Sequence, residues 1–237
     1  MINASGPLDG VVGGEQGERV GMVITCPRCG GPVRPPDLMH TAWRCDNCGP
    51  IAPLHVAEHI GSEVVATAVA LAAKAEFPVW CPWPLPPGWM VTGIGWAGDE
   101  RSGVSATVVA CTGPASLLDG PADMLFIAED PGVGLGVRFA GLPGPDGGPP
   151  LAELAVSTLA HAKVKVAGHP APMWALDAPE DRSAYVGEAH GRWLWAVAWP
   201  APAGYLLAED VALHDLADWV PGGLVFGAAS PYLLGRA

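Results

Sequence analysis

The chain has 237 residues, half of them apolar and only 15% charged, which is enough for a buried core plus a small accessory module and excludes a wholly disordered chain. Its 12 basic and 24 acidic side chains give a formal net charge of −12, which argues against nonspecific attraction to nucleic-acid backbones. The 32 Gly and 26 Pro imply many short elements joined by turns.

Residues 1–21 have no basic stretch leading into an apolar one and no periodicity, so they read as a disordered tail and not as a secretory signal. Residues 22–55 hold four cysteines as Cys26-Pro-Arg-Cys29-Gly and, fifteen residues on, Cys45-Asp-Asn-Cys48-Gly. Two thiolates three positions apart reach one ion when the backbone turns tightly and its N–H groups donate to the sulfurs. Gly30 and Gly49 supply the positive φ that ends such a turn. Two such pairs close a tetrahedron around Zn²⁺, leaving no position for water or substrate. The metal is therefore expected to be one structural zinc ion, contributing on the order of 10 kcal/mol to folding. The segment resembles the zinc ribbon, a rubredoxin-like scaffold, and Trp43 is expected to pack over the site. Thiols kept for a metal suit a reducing, cytoplasmic setting.

Residues 56–79 read as a linker with a helix from Ser62, as N-cap, to Ala75, carrying Val65, Val69 and Ala72 at helical spacing. The apolar run Val64–Ala73 is too short to span a bilayer, which needs roughly 20 residues.

The second domain, residues 80–237, opens with Trp80-Cys-Pro-Trp-Pro-Leu-Pro-Pro-Gly-Trp89, whose prolines rule out a helix or a central strand. Strand patterns follow at 90–97, 104–111, 124–128 and 134–139, with 98–103 as a hairpin turn. Residues 141–150 read as a loop and 151–162 as a helix. Strands then return at 163–167, 172–176, 184–189 and 192–199, with His190-Gly191 as a tight turn, and 209–216 reads as a closing helix. Neighbouring hairpins with inserted helices define an α+β domain built on a largely antiparallel sheet.

Chemical signals after the cysteines are sparse. His55-Val-Ala-Glu58-His59 matches the inverted zinc-peptidase pattern, which requires a helix and a distant acidic ligand; a polar junction between modules is the simpler reading. Gly132-Val-Gly134-Leu-Gly136 lacks the helix expected after a dinucleotide loop. Cys81 and Cys111 have no positioned base, and Asp177, Glu180 and Asp181 read as a solvated acidic loop. Trp193, Trp195, Val197 and Trp199 share one strand face, with Leu194, Ala196 and Ala198 on the other. A strand apolar on both faces is usually central; alternatively these rings join Trp80, Trp83 and Trp89 in an aromatic binding surface.

The wording WCPWPLPPGW, GIGWAGDERSG and GRWLWAVAWPAPAG resembles an actinobacterial family in which a zinc ribbon precedes a domain of unknown function. That resemblance brings no catalytic residues. The resulting expectation is a non-enzymatic zinc-ribbon protein whose sheet domain binds a protein partner or a small apolar ligand, with Trp80, Trp83, Trp89, Trp193, Trp195 and Trp199 as the candidate surface. The alternatives are a transferase or hydrolase in the Trp-lined domain, or a nucleic-acid-associated factor acting through Arg28, Arg34 and Arg44. The acidic balance argues against the last, since residues 22–55 carry a net of only +1 and residues 80–237 a net of −9.

Overall fold

A computed structural model describes residues 21–99, 101–144, 153–154, 156–209 and 211–236. Among them run β1 (Met22–Thr25), β2 (Val33–Arg34), β3 (Arg44–Cys45), β4 (Gly49–Pro50), β5 (Leu54–Ala57), α1 (Ser62–Lys74), β6 (Trp80–Pro82), β7 (Met90–Asp99), β8 (Gly103–Pro114) and β9 (Pro121–Glu129). The chain continues with α2 (Leu135–Ala140), β10 (Ala162–Val166), β11 (His169–Leu176), β12 (Ser183–Ala189), β13 (Arg192–Trp199), a 3₁₀ helix (Ala201–Ala208) and β14 (Ala212–Asp215). The fold is α+β, dominated by one long sheet.

That sheet has eleven strands in the order β1-β5-β7-β8-β9-β13-β12-β11-β10-β14-β6. Two meanders, β7 to β9 and β10 to β13, meet where β9 pairs antiparallel with β13. Every pairing in the sheet is antiparallel except β10 with β14. β13 occupies the middle of the order and is buried from Leu194 to Trp199, as its two apolar faces require. The hairpins fall where turn chemistry places them; β12 and β13 are joined through His190 and Gly191, both at positive φ.

Each face of the sheet carries its own apolar layer. On one lie Leu194, Ala196 and Ala198 with Ile94, Phe126, Phe77 and Trp80, covered by α1 and the 3₁₀ helix. On the other lie Trp195, Val197 and Trp199 with Leu54, Leu125, Ile127, Leu135 and Leu233. α2 covers this second face so closely that a Cβ on Gly136 would sit 2.3 Å from the Trp195 indole. The position therefore admits only glycine without displacing the ring.

Several sequence expectations meet a different outcome. Residues 134–139 are not a strand: Leu135–Ala140 form α2. The cause lies upstream, where the buried Glu129 carboxylate accepts the N–H groups of Leu135 (2.7 Å) and Gly136 (3.2 Å) and so fixes a helix start. Residues 209–216 are not a closing helix either. The chain leaves the 3₁₀ helix and enters β14, where Lys165 faces Ala212, Val166 faces Leu213, and Leu213 and Asp215 point inward at strand period. α1 begins at Ser62 with Gly61 as its N-cap, so Ser62 opens the helix and does not cap it. The tail reading of 1–20 and the loop reading of 145–150 lie outside the described residues; of the helix expected over 151–162, Glu153, Leu154, Val156 and Ser157 are helical, but residues 158–161 are not and Ala162 already opens β10.

β1 and β5 flank the cysteine segment and pair with each other at one end of the large sheet, while β2, β3 and β4 form a separate three-stranded sheet between them. The cysteine module is thus an insertion between two sheet strands. Among the described residues no helix is long and apolar enough to cross a membrane.

Candidate metal centre and binding pockets

Cys26, Cys29, Cys45 and Cys48 converge, their sulfurs all lying within 4.8 Å of one another and the Cys29–Cys45 pair at 3.5 Å. A tetrahedron with about 2.3 Å metal–sulfur bonds has edges of about 3.8 Å, so the four donors are already close to ligating geometry. Both pairs sit in tight turns ending at Gly30 (φ 72°) and Gly49 (φ 75°). The N–H groups of Cys29 and Arg28 serve the Cys26 sulfur, and those of Asn47 and Cys48 serve Cys45. Burial pushes the Cys26 thiol up to about 12. Burial also acts on Cys45, but N–H donors and the neighbouring thiols outweigh it and bring that group down to about 7. Burial opposes ionisation of Cys26, and a cation at the centre of the four sulfurs would offset that cost. The donor set fits a closed, four-coordinate metal ion.

Three arginines bind this module to the sheet domain. Arg28 donates through Nη2 to Gly132 O at 2.8 Å and through Nε to Val133 O at 3.3 Å. Arg138, on α2, donates through Nη1 to Cys26 O at 3.3 Å and lies over the Phe139 ring. Arg101, in the β7–β8 turn, donates to Thr41 O at 3.2 Å. Open clefts of about 780 and 870 Å³ flank this junction and share Trp43, Asp99 and Arg101. Trp43 turns its ring edge to His55 across the junction, and His55 stacks on Trp96 with ring centres 5.4 Å apart.

The peptidase pattern does not assemble. His55 lies on strand β5, with Nε2 3.1 Å from Gly98 O, and burial lowers its pKa. His59 is exposed, and Glu58 pairs with Arg236 at 3.1 Å. The Gly132–Gly136 segment does precede a helix, but Glu129 already occupies that helix's leading N–H groups.

The six candidate tryptophans do not form one surface. Trp193, Trp195 and Trp199 belong with the layer under α2, whereas Trp80 and Trp89 belong with the opposite layer. Trp80, Trp89, Trp195 and Trp199 are buried. Trp83 and Trp89 nevertheless line a pocket of about 190 Å³ with Met124, Phe126, Leu206 and Glu209. Trp83 also meets Trp219 edge to face, and Trp219 is 54% exposed.

Cys81 and Cys111 are buried thiols in one core layer. Asp181 is bound by Arg182 through both carboxylate oxygens, at 2.7 and 2.8 Å. Among the described residues the four cysteines are the one group placed to hold a metal. Sequence reading did not single out Asp123, Arg138 or Arg182. Asp123 is a buried carboxyl on β9 that accepts hydrogen bonds from Thr112 and Ser230. The two arginines flank a second pocket. A lone cation in an apolar run was the sole sequence signal for Arg138.

A four-cysteine knuckle module inserted between two strands of a long antiparallel sheet, and held by hydrogen bonds to α2, the loop before it and the β7–β8 turn, is the class that fold and site define. The chain belongs to DUF6758, a family of unknown function, which it matches over residues 21–233. No curated protein and no solved structure matches it.

Proposed function

We propose that this is a non-enzymatic binding protein in which a structural zinc ion shapes the cysteine module and the sheet domain receives an apolar side chain of a protein partner between Trp83 and Trp89. The observation that carries the reading is the 190 Å³ pocket walled by Trp83, Trp89, Met124 and Phe126, beside the exposed ring of Trp219. A cavity of about 150 Å³ takes benzene, so this one has room for a single aromatic or branched aliphatic group, the usual anchor of an interface. Glu209 on the pocket wall and Asp218 beside Trp219 are exposed, and the chain carries a net charge of −12. The partner segment is therefore an apolar anchor flanked by lysine or arginine.

Zinc is the metal of choice for four thiolates with no open position, and reduced cysteines suit the cytoplasm. The polar groups at the module junction support a binding role over a catalytic one, because Arg28, Arg101 and His55 are each engaged by backbone carbonyls. Arg34 is likewise paired with Asp46 at 2.8 Å, which counts against a phosphate-binding face on the module.

Titrating the capped tripeptides Lys-Phe-Lys and Glu-Phe-Glu while following the indole N–H resonances tests the reading. Saturable shifts of the Trp83 and Trp89 signals with the basic peptide, absent in Trp83→Ala and weak with the acidic peptide, are expected. No saturation with either peptide, or equal response to both, would overturn it.

A further inference from the structure

We propose a second ligand site, an oxyanion pocket between α2, the turn before β12, the end of β13 and the C-terminal segment, which takes one carboxylate or phosphate group. The pocket holds about 220 Å³ and is walled by Arg138, Phe139, Asp181, Arg182, Trp199 and Tyr232. It lies away from the Trp83 pocket and is independent of the reading above.

The donors there outnumber their acceptors. The Arg138 guanidinium is largely removed from water, and burial depresses its pKa. Among the described residues, one of its five N–H groups makes a hydrogen bond, the 3.3 Å contact from Nη1 to Cys26 O. Its Nη2 lies between Gly30 and Gly235: a Cβ on the first would come within 2.8 Å of that nitrogen and a Cβ on the second within 3.8 Å. Gly235 also borders the pocket, so Nη2 sits at its wall. Arg182 uses Nε and Nη2 on Asp181 and one Nη1 hydrogen on Phe139 O at 2.9 Å, leaving a second hydrogen on each terminal nitrogen. Trp199 is 3% exposed, and its Nε1 has no hydrogen-bond partner of good geometry among the described residues. That N–H is directed at the Asp181 carboxylate as a weak donor that falls outside strict hydrogen-bond geometry, so Asp181 satisfies it only in part.

Buried donors without acceptors are unfavourable, and an oxyanion supplies several acceptors at once. Two guanidinium groups border the pocket against the one carboxylate of Asp181; Arg138 also faces the cysteine centre, so Arg182 supplies most of the charge for an incoming anion. The Asp181 side chain is 55% exposed, so water screens its repulsion of an incoming anion. Rings complete the enclosure: Trp199 and Tyr232 stack at 4.5 Å, and the Arg182 guanidinium lies over the Trp199 ring at 5.1 Å. The geometry suits a planar carboxylate or a phosphate head lying beside the stacked pair.

The test is calorimetric titration of the full, metal-loaded chain in low-salt chloride buffer with inorganic phosphate in one arm and succinate in the other. Saturable binding of one equivalent in either arm is expected, and the tighter arm identifies the source of the oxyanion. Trp199→Phe removes one donor and keeps the ring, and Arg182→Gln removes a charge; each should weaken binding by about tenfold or more, while Asp181→Asn should tighten it. Metal content and thermal unfolding of each variant report whether the fold survives. Should Arg182→Gln fail to fold, Trp199→Phe decides alone. No saturation by either anion up to about 10 mM, or unchanged affinity in Trp199→Phe, would overturn the proposal.

Discussion

The Arg138 side chain donates a hydrogen bond to the backbone carbonyl of Cys26, across 112 positions of sequence, and so connects the helix that covers one sheet face to the first cysteine turn. A tetrathiolate centre holding a divalent ion carries excess negative charge, and Arg138 and Arg28 are the cations beside it. Metal binding and module docking are therefore expected to be coupled. Stripping the metal with a chelator, or Cys45→Ser, is expected to release the module while the sheet persists on its own two apolar layers. Far-UV circular dichroism should retain its strand signal, and fluorescence of Trp43 and Trp96 at the junction should change. Elemental analysis should find one zinc per chain before stripping. Loss of the whole strand signal on chelation would show that the sheet depends on the metal.

Arg28 crosses that junction twice, to Gly132 O and Val133 O, and also donates to Cys48 O at 3.4 Å within its own module. A hydrogen bond from a charged donor contributes about 1.5–3 kcal/mol; the 2.8 Å bond to Gly132 O falls in that range, whereas those at 3.3 and 3.4 Å are long, only part-buried and add little. Arg28→Ala is expected to lower unfolding free energy by about 2–3 kcal/mol. Zinc stoichiometry should stay unchanged, since no ligand is removed. A denaturant titration with parallel metal analysis checks both halves. Stability equal to the parent would mean that the module docks without this residue.

The strands from β7 to β13 were legible because alternation and turn residues are local signals, and the central place of β13 followed from its two apolar faces. The cysteine spacing likewise carried its own geometry. What escaped was set by distant partners. Val137 and Phe139 favour strand, yet a carboxylate six residues before Leu135 imposes a helix. Residues 212–215 become a strand because β10, some 47 positions earlier, and β6, farther back still, offer them edges on both sides. The tryptophans show the same limit: parity places Trp193, Trp195 and Trp199 on one face, but nothing local tells that Trp80 and Trp89 pack against the other.

Gly136 offers a sharp test of the second core layer. A methyl group there would lie 2.3 Å from the Trp195 ring, which is buried and held by α2 on one side and β13 on the other. Gly136→Ala, ordinarily favourable in a helix, is expected to destabilise by about 3 kcal/mol. Adding Trp195→Leu should recover part of that loss, giving a favourable coupling of about 1 kcal/mol in a double-mutant cycle. Strict additivity of the two changes would mean that α2 shifts away from the sheet and the ring is not the obstacle.

Asp123 makes stability depend on pH in a defined direction. Burial raises its pKa, and the hydrogen bonds it accepts from Thr112 at 2.8 Å and Ser230 at 3.0 Å offset this only in part. The folded protein therefore holds this proton to a higher pH than the unfolded chain, whose aspartates titrate near 3.9. The stability linked to that proton is complete below about pH 3.9 and is lost as pH rises through the raised folded value. Asp123→Asn keeps the shape and an acceptor for Ser230 but has no proton to lose. Unfolding free energies of the two proteins, compared from roughly pH 4 to pH 8, should diverge in favour of the variant as pH increases. Because the cysteine centre is the same in both, loss of metal in acid cancels from the difference. A difference that stays flat, or turns against the variant with rising pH, would place the ionised carboxylate, and not the neutral acid, as the form the fold accommodates.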